Sequence, residues 1–177
     1  MSQNKIIVLT GPESTAKSTL SSELALFFKG NCMQEYAREY LRGKSSYTYA
    51  DVEIIAREQI RQYEAARRSD KLVFMDTWLI ITRVWFEWVY GRVPGWLDAA
   101  IVACPVDLYL LCRPDIPWQP DPLREHGGEE RNQLFLIYRD ELEKRGFPYA
   151  ELGGDGEERV RNARDAVQKR LGICACN

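Results

Sequence analysis

The chain has 177 residues, 45% of them apolar and 28% charged, with a formal net charge of −2. This fits one folded domain over residues 1–177 and excludes a disordered chain. The lack of a basic excess excludes nucleic acid as the main partner. The most apolar helical stretch, residues 78–90, carries Arg83 and Glu87 and is too short to span a bilayer.

The chain opens on a polar tetrapeptide rather than a signal peptide. Residues 5–10 then read as a buried strand, and residues 18–28 as an amphipathic helix. Between them, residues 11–18 read Gly-Pro-Glu-Ser-Thr-Ala-Lys-Ser. This is the phosphate-binding pattern G-x-x-x-x-G-K-[ST] with Ala16 in the place of glycine. Backbone N–H groups from Ser14, Thr15 and Ala16 to Ser18 and Thr19 would ring phosphate oxygens at the helix N-terminus, where the helix dipole also favours anions. Lys17 would reach the β- and γ-phosphates, and the Ser18 hydroxyl would hold Mg²⁺. Ala16 is expected in a helical or near-helical conformation, where its Cβ costs little.

Residues 32–36 read as a second strand. Thr48 and Asp51 form a capping-box pair before a helix that puts Val52, Ile55, Ala56, Ile60 and Tyr63 on one face. Residues 71–76 form a short strand ending in Asp76, followed by a core helix over 78–90, which Gly91 to Gly95 break. Residues 106–112 form the fourth strand. Residues 113–131, rich in Pro, Gly and charge, read as a mobile loop or lid. A helix over 132–145, a strand over 147–152, a Gly153–Gly156 turn and an Arg-rich helix complete the chain. Strands alternating with helices argue an α/β fold on a mostly parallel sheet. Its ligands would bind beyond the strand C-terminal ends, so the loops after Thr10, Gln34, Met75, Cys112 and Leu152 should share one crevice.

Candidate chemistry sits in those loops. Asp76 would hold Mg²⁺ opposite Ser18, or else cap the next helix. Glu35, Tyr36, Arg38 and Glu39 follow the second strand and would hold sugar hydroxyls, with Glu35 the candidate base; a solvated helix start is the alternative. Trp118 and Asp121, in a loop stiffened by proline, suit a flat cationic ring. Arg124 and Arg131 would swing onto a transferring phosphoryl group. Arg159 and the glycines before it would cover an adenine. His126, in a His-Gly-Gly run, reads as a loop residue. Five scattered cysteines suit reduced thiols in the cytoplasm, and Cys174 and Cys176 lack the neighbours a metal site needs.

Four motifs occur in order along nearly the whole chain: the loop at residues 11–19, Glu-Tyr-x-Arg-Glu-Tyr at 35–40, Asp-Thr at 76–77, and Pro-Trp-x-x-Asp-x-Leu-Arg at 117–124. Together they resemble the ribosylnicotinamide kinase domain of NadR-type proteins. The resemblance implies a three-layer P-loop NTPase fold with a five-stranded parallel sheet of order 2-3-1-4-5. It implies ATP and Mg²⁺ as cofactors and phosphorylation of the 5′-hydroxyl of nicotinamide riboside to nicotinamide mononucleotide. It places Lys17 and Ser18 on phosphates and metal, Asp76 near Mg²⁺, Glu35, Arg38 and Glu39 around the ribose, Trp118 and Asp121 near the nicotinamide, and Arg124 on the lid. The single histidine cannot supply the paired-histidine signature of the family's frequent adenylyltransferase partner, so the reaction is expected to stop at the mononucleotide. Two other readings stay open: a kinase for another small nucleoside or metabolite, and a nucleotide-binding regulatory ATPase or GTPase module with Ala16 marking slow catalysis. The oligomeric state is open, a homo-oligomer included.

Overall fold

The computed structural model describes residues 4–120 and 127–173. The five strands β1 (Ile6–Thr10), β2 (Asn31–Met33), β3 (Val73–Asp76), β4 (Leu108–Cys112) and β5 (Tyr149–Leu152) form one parallel sheet of order β2-β3-β1-β4-β5. Among the described residues seven helices connect or flank them: α1 (Lys17–Phe27), α2 (Tyr36–Tyr40), α3 (Tyr49–Arg67), α4 (Leu79–Tyr90), α5 (Gly95–Ala103), α6 (Gly128–Lys144) and α7 (Gly156–Leu171).

Side chains alternate across each strand, so a sheet covered on both faces feeds two cores. Ile6, Val8, Met75, Tyr109 and Leu111 point into one, with α3, α4, α5 and α6. Ile7, Leu9, Phe74, Leu108 and Leu110 point into the other, with α1 and α7. This is the three-layer α/β P-loop fold. The capping box forms: the Asp51 N–H donates to Thr48 Oγ1 at 3.3 Å, and the Thr48 N–H donates to Asp51 at 2.8 Å.

Several boundaries differ from the sequence pattern. β2 is only three residues long and ends before Gln34, because Glu35 already precedes α2. α5 was not anticipated; Pro94 precedes it and its apolar residues Leu97 and Ile101 pack into the core. α6 starts at Gly128, so Arg131 belongs to a helix rather than to a loop. Asp121, Arg124, His126, Cys174 and Cys176 lie outside the described residues. Of the other cysteines, Cys112 is fully buried, which pushes its thiol up to about 11, while Cys32 and Cys104 are half-buried. No described helix is long and apolar enough to cross a membrane.

Candidate active site

The first crossover places the loop of residues 11–16 between the end of β1 and the start of α1. Gly11 is required there by space: a Cβ would lie 2.6 Å from the Cys112 carbonyl oxygen, and φ is +129°. The loop backbone is unusual beyond Gly11. Ser14 has φ 54° and Ala16 has φ 63° and ψ 24°, both left-handed. The expectation of a helical Ala16 is therefore wrong. Ala16 caps α1 from the left-handed region, which costs an L-residue about 1–2 kcal/mol, and this is why the pattern carries glycine there. Thr77, after β3, is also left-handed at φ 69°. A β-branched residue is a real outlier in that region, and such strain gathers at functional sites.

A cavity of about 290 Å³ opens beside the loop. Gly11 and Ser14 to Thr19 line one wall. Lys17 Nζ donates to the Pro12 carbonyl at 2.6 Å, and Thr15 Oγ1 donates to the same oxygen at 2.9 Å. Glu35 and Arg38 line the cavity from the α2 side and pair at 3.6 Å. Tyr36 and Glu39, on the same short helix, are not among the lining residues; Tyr36 packs against Tyr40 instead.

Asp76 lies just beneath the lining, next to Thr77. Its residue is 3% exposed, and neither carboxylate oxygen has a hydrogen-bond partner among the described residues. Burial raises its pKa, while the Ser18 hydroxyl, Lys17 and Arg38 pull it down. Two orphaned oxygens facing a phosphate-loop hydroxyl are the donor set a hard cation takes, so Ser18 and Asp76 fit Mg²⁺. The Glu35 side chain keeps 27% exposure to the cavity but is otherwise surrounded by protein. Burial raises its pKa first and the Asp76 charge second, against Lys17 and Arg38.

The far wall is aromatic, which no sequence motif indicates. Tyr47, Ile81, Trp85 and Trp88 line it, with Tyr47 and Trp85 edge to face at 4.9 Å. Residues 81, 85 and 88 are four and three apart, hence one face of α4. The signal in the sequence is Thr82, a neutral polar residue in a largely apolar helix whose charged residues are Arg83 and Glu87. Thr82 Oγ1 donates to Gln59 Oε1 at 2.6 Å, and both residues are buried and line the cavity. That separation suits a hydroxyl on a carbonyl oxygen, so the Gln59 amide N–H₂ is left to the cavity.

Three expected ligand-binding residues lie elsewhere. Trp118 is outside the lining, with its indole ring 3.6 Å from where a Gly127 Cβ would stand. Arg131 and Arg159 are buried behind the loop and donate to backbone carbonyls of Ser14 and Thr15. Neither arginine lines the cavity. Sequence reasoning missed this because arginine is seldom fully buried.

A family model described as an AAA domain matches residues 6–159. The trifunctional NAD biosynthesis/regulator protein NadR of Escherichia coli (strain K12) is 25% identical over 176 residues, covering 95% of this chain and 43% of that protein. The chain thus spans less than half the length of this curated relative. A crystal structure of a NadR protein in complex with NR superposes with a TM-score of 0.78 at 21% identity, covering 99% of this chain and 53% of the other. A NadR protein in complex with NAD and AMP-PNP gives 0.76 at 22% identity, covering 99% and 51%.

Proposed function

Because the chain belongs to the AAA domain family, with a phosphate loop opening on a carboxylate-lined cavity, we propose that it is a cytoplasmic kinase. It transfers the γ-phosphoryl group of ATP to the 5′-hydroxyl of nicotinamide riboside, giving nicotinamide mononucleotide and ADP. The observation that carries this reading is the continuous cavity that joins the loop at Gly11 and Ser14 to Thr19 to Glu35 and to the Tyr47–Trp85 wall. The similarity to NadR proteins solved with NR and with AMP-PNP supports the choice of acceptor and donor.

The loop N–H groups and Lys17 bind and orient the phosphates. Glu35 accepts the proton of the 5′-hydroxyl, whose oxygen forms the new bond to phosphorus as the bond to ADP breaks. Its raised pKa brings it closer to the value a general base needs near neutral pH. Ser18 and Asp76 would hold Mg²⁺, which when bound neutralises charge on the phosphate oxygens. Arg38, which lines the cavity from α2, would flank the ribose, whereas Glu39 lies off the lining. The Tyr47–Trp85 wall would take a pyridinium ring by cation–π attraction, and the Gln59 amide N–H₂ would donate to its carboxamide oxygen. Arg124, on the proline-rich segment, is the proposed cation for the transferred group.

The test is product analysis. Purified protein with ATP, Mg²⁺ and nicotinamide riboside should yield the mononucleotide and ADP in equal amounts. The left-handed Ala16 favours one other reading, a regulatory nucleotide-binding module with slow hydrolysis. Thermal shifts separate the two: the kinase is stabilised further by the riboside on top of ATP, whereas the module responds to ATP or GTP alone.

A further inference from the structure

Two buried arginines hold the phosphate loop from the side away from the cavity. Arg131, 6% exposed on α6, donates from Nη2 to the Ser14 carbonyl at 3.0 Å, and from Nη1 and Nη2 to the Ile116 carbonyl at 3.2 Å. Arg159, 2% exposed on α7, donates from Nη1 to the Thr15 carbonyl at 3.3 Å and from Nε to the Gly154 carbonyl at 2.8 Å. Its Nη2 donates to the Arg113 carbonyl at 3.2 Å and pairs with the Asp115 carboxylate. Two consecutive loop carbonyls are thus held by two helices more than a hundred residues away in sequence.

A trans peptide is planar, with its N–H opposite its C=O. Holding the Ser14 carbonyl aims the Thr15 N–H, and holding the Thr15 carbonyl aims the Ala16 N–H. Both residues line the cavity. The second of these peptides enters Ala16, the residue at φ 63° where an L-side chain is disfavoured. We propose that Arg159, seconded by Arg131, is a positioning residue for ATP. It keeps the loop in its phosphate-binding shape against the preference of Ala16, and so lets alanine stand where the pattern has glycine. This rests on the loop being an ATP site, and not on the identity of the acceptor.

The consequence is a coupling between two residues that differ in role. ATP binding is titrated calorimetrically, with Mg²⁺, on the full chain carrying Arg159→Lys, which keeps the charge but loses the fork. The same substitution is made together with Ala16→Gly. The expected dissociation constant rises about tenfold in the alanine background and less than about threefold in the glycine one. Ala16→Gly alone should bind ATP as well as or better than the natural chain. Equal losses in the two backgrounds, or no loss in either, would overturn the proposal, since a merely structural arginine affects both alike. Should Arg159→Lys fail to fold, Arg131→Lys in the two backgrounds reads the same coupling, and weaker ATP binding by Ala16→Gly alone overturns it in any case. A natural chain that binds no ATP overturns both the proposal and the kinase reading. One that binds ATP with the predicted coupling but phosphorylates no riboside overturns the acceptor alone.

Discussion

The two walls of the cavity are built on opposite plans. The loop wall is tied down: the carbonyls of Pro12, Ser14 and Thr15 each accept a bond from a side chain, two of them from buried arginines. The facing wall keeps polar groups in reserve. Glu35 makes a long ion pair at 3.6 Å, and Thr82 leaves the Gln59 amide nitrogen to the cavity, while beneath the lining Asp76 has both oxygens buried without a hydrogen-bond partner among the described residues. A phosphate chain is the same in every nucleoside triphosphate, so one rigid backbone cradle suffices for it. An acceptor must be oriented and deprotonated, and that takes groups whose hydrogen bonds and charge are not already satisfied by the protein.

Substitutions on each wall should break this contrast in different ways. The largest effect is expected from Lys17→Ala, which should lower turnover at least about a thousandfold by removing the charge at the β- and γ-phosphates. Circular dichroism should show the fold unchanged, and a mutant with full activity would remove Lys17 from the site. Glu35→Gln should lower kcat by roughly 10²–10⁴, the usual worth of a general base, with ATP affinity unchanged by calorimetry. In the unmodified protein kcat/KM should rise with pH through a value above the ordinary 4.5 of a glutamate, because the ionised form is the active one and burial raises its pKa.

Trp85→Ala should raise KM for the riboside about tenfold and KM for ATP little, as loss of one aromatic face predicts. Trp118→Ala, off the cavity, should affect both substrates alike. The reverse pattern would return the ring to Trp118. The smallest effect concerns stability. Asp76 has its pKa raised from 3.8 by burial, so its ionised form is disfavoured in the folded chain. Stability should fall as pH rises from the ordinary value through the raised one, and the full cost should be present at neutral pH. Asp76→Asn should then raise Tm at pH 7 by about 2–4 °C, the response of a domain this size to about 1 kcal/mol, while losing activity. An unchanged or lower Tm would mean that the carboxylate is not strained by its burial.

How far the sequence could be read follows the same division. The loop is contiguous, so a strand, Gly11, Lys17, Ser18 and a helix announce it within a few residues. The alternation of strands and helices likewise announces the parallel sheet. The aromatic wall is drawn from Tyr47 ahead of α3 and from one face of α4, and no spacing rule joins them. Trp118 suits a ring by its neighbouring prolines, by Asp121 and by the family resemblance, whereas in the structure it lies outside the cavity lining. Arg131 and Arg159 looked like ligand-facing cations because basic residues near a loop are normally solvated; their burial depends on carbonyls supplied by distant segments. The left-handed conformation of Ala16 is not legible in the sequence for a related reason. Local preference argues for a helical residue, and the hydrogen bond that holds the peptide entering Ala16 comes from Arg159 on the distant α7.

The most direct measurement of the proposed reaction is phosphorus NMR of the purified chain with ATP, Mg²⁺ and equimolar nicotinamide riboside and adenosine. The kinase reading predicts one new phosphomonoester resonance, that of nicotinamide mononucleotide, growing in step with ADP. ADP and inorganic phosphate without a phosphomonoester, or phosphorylation of adenosine in preference to the riboside, would contradict it.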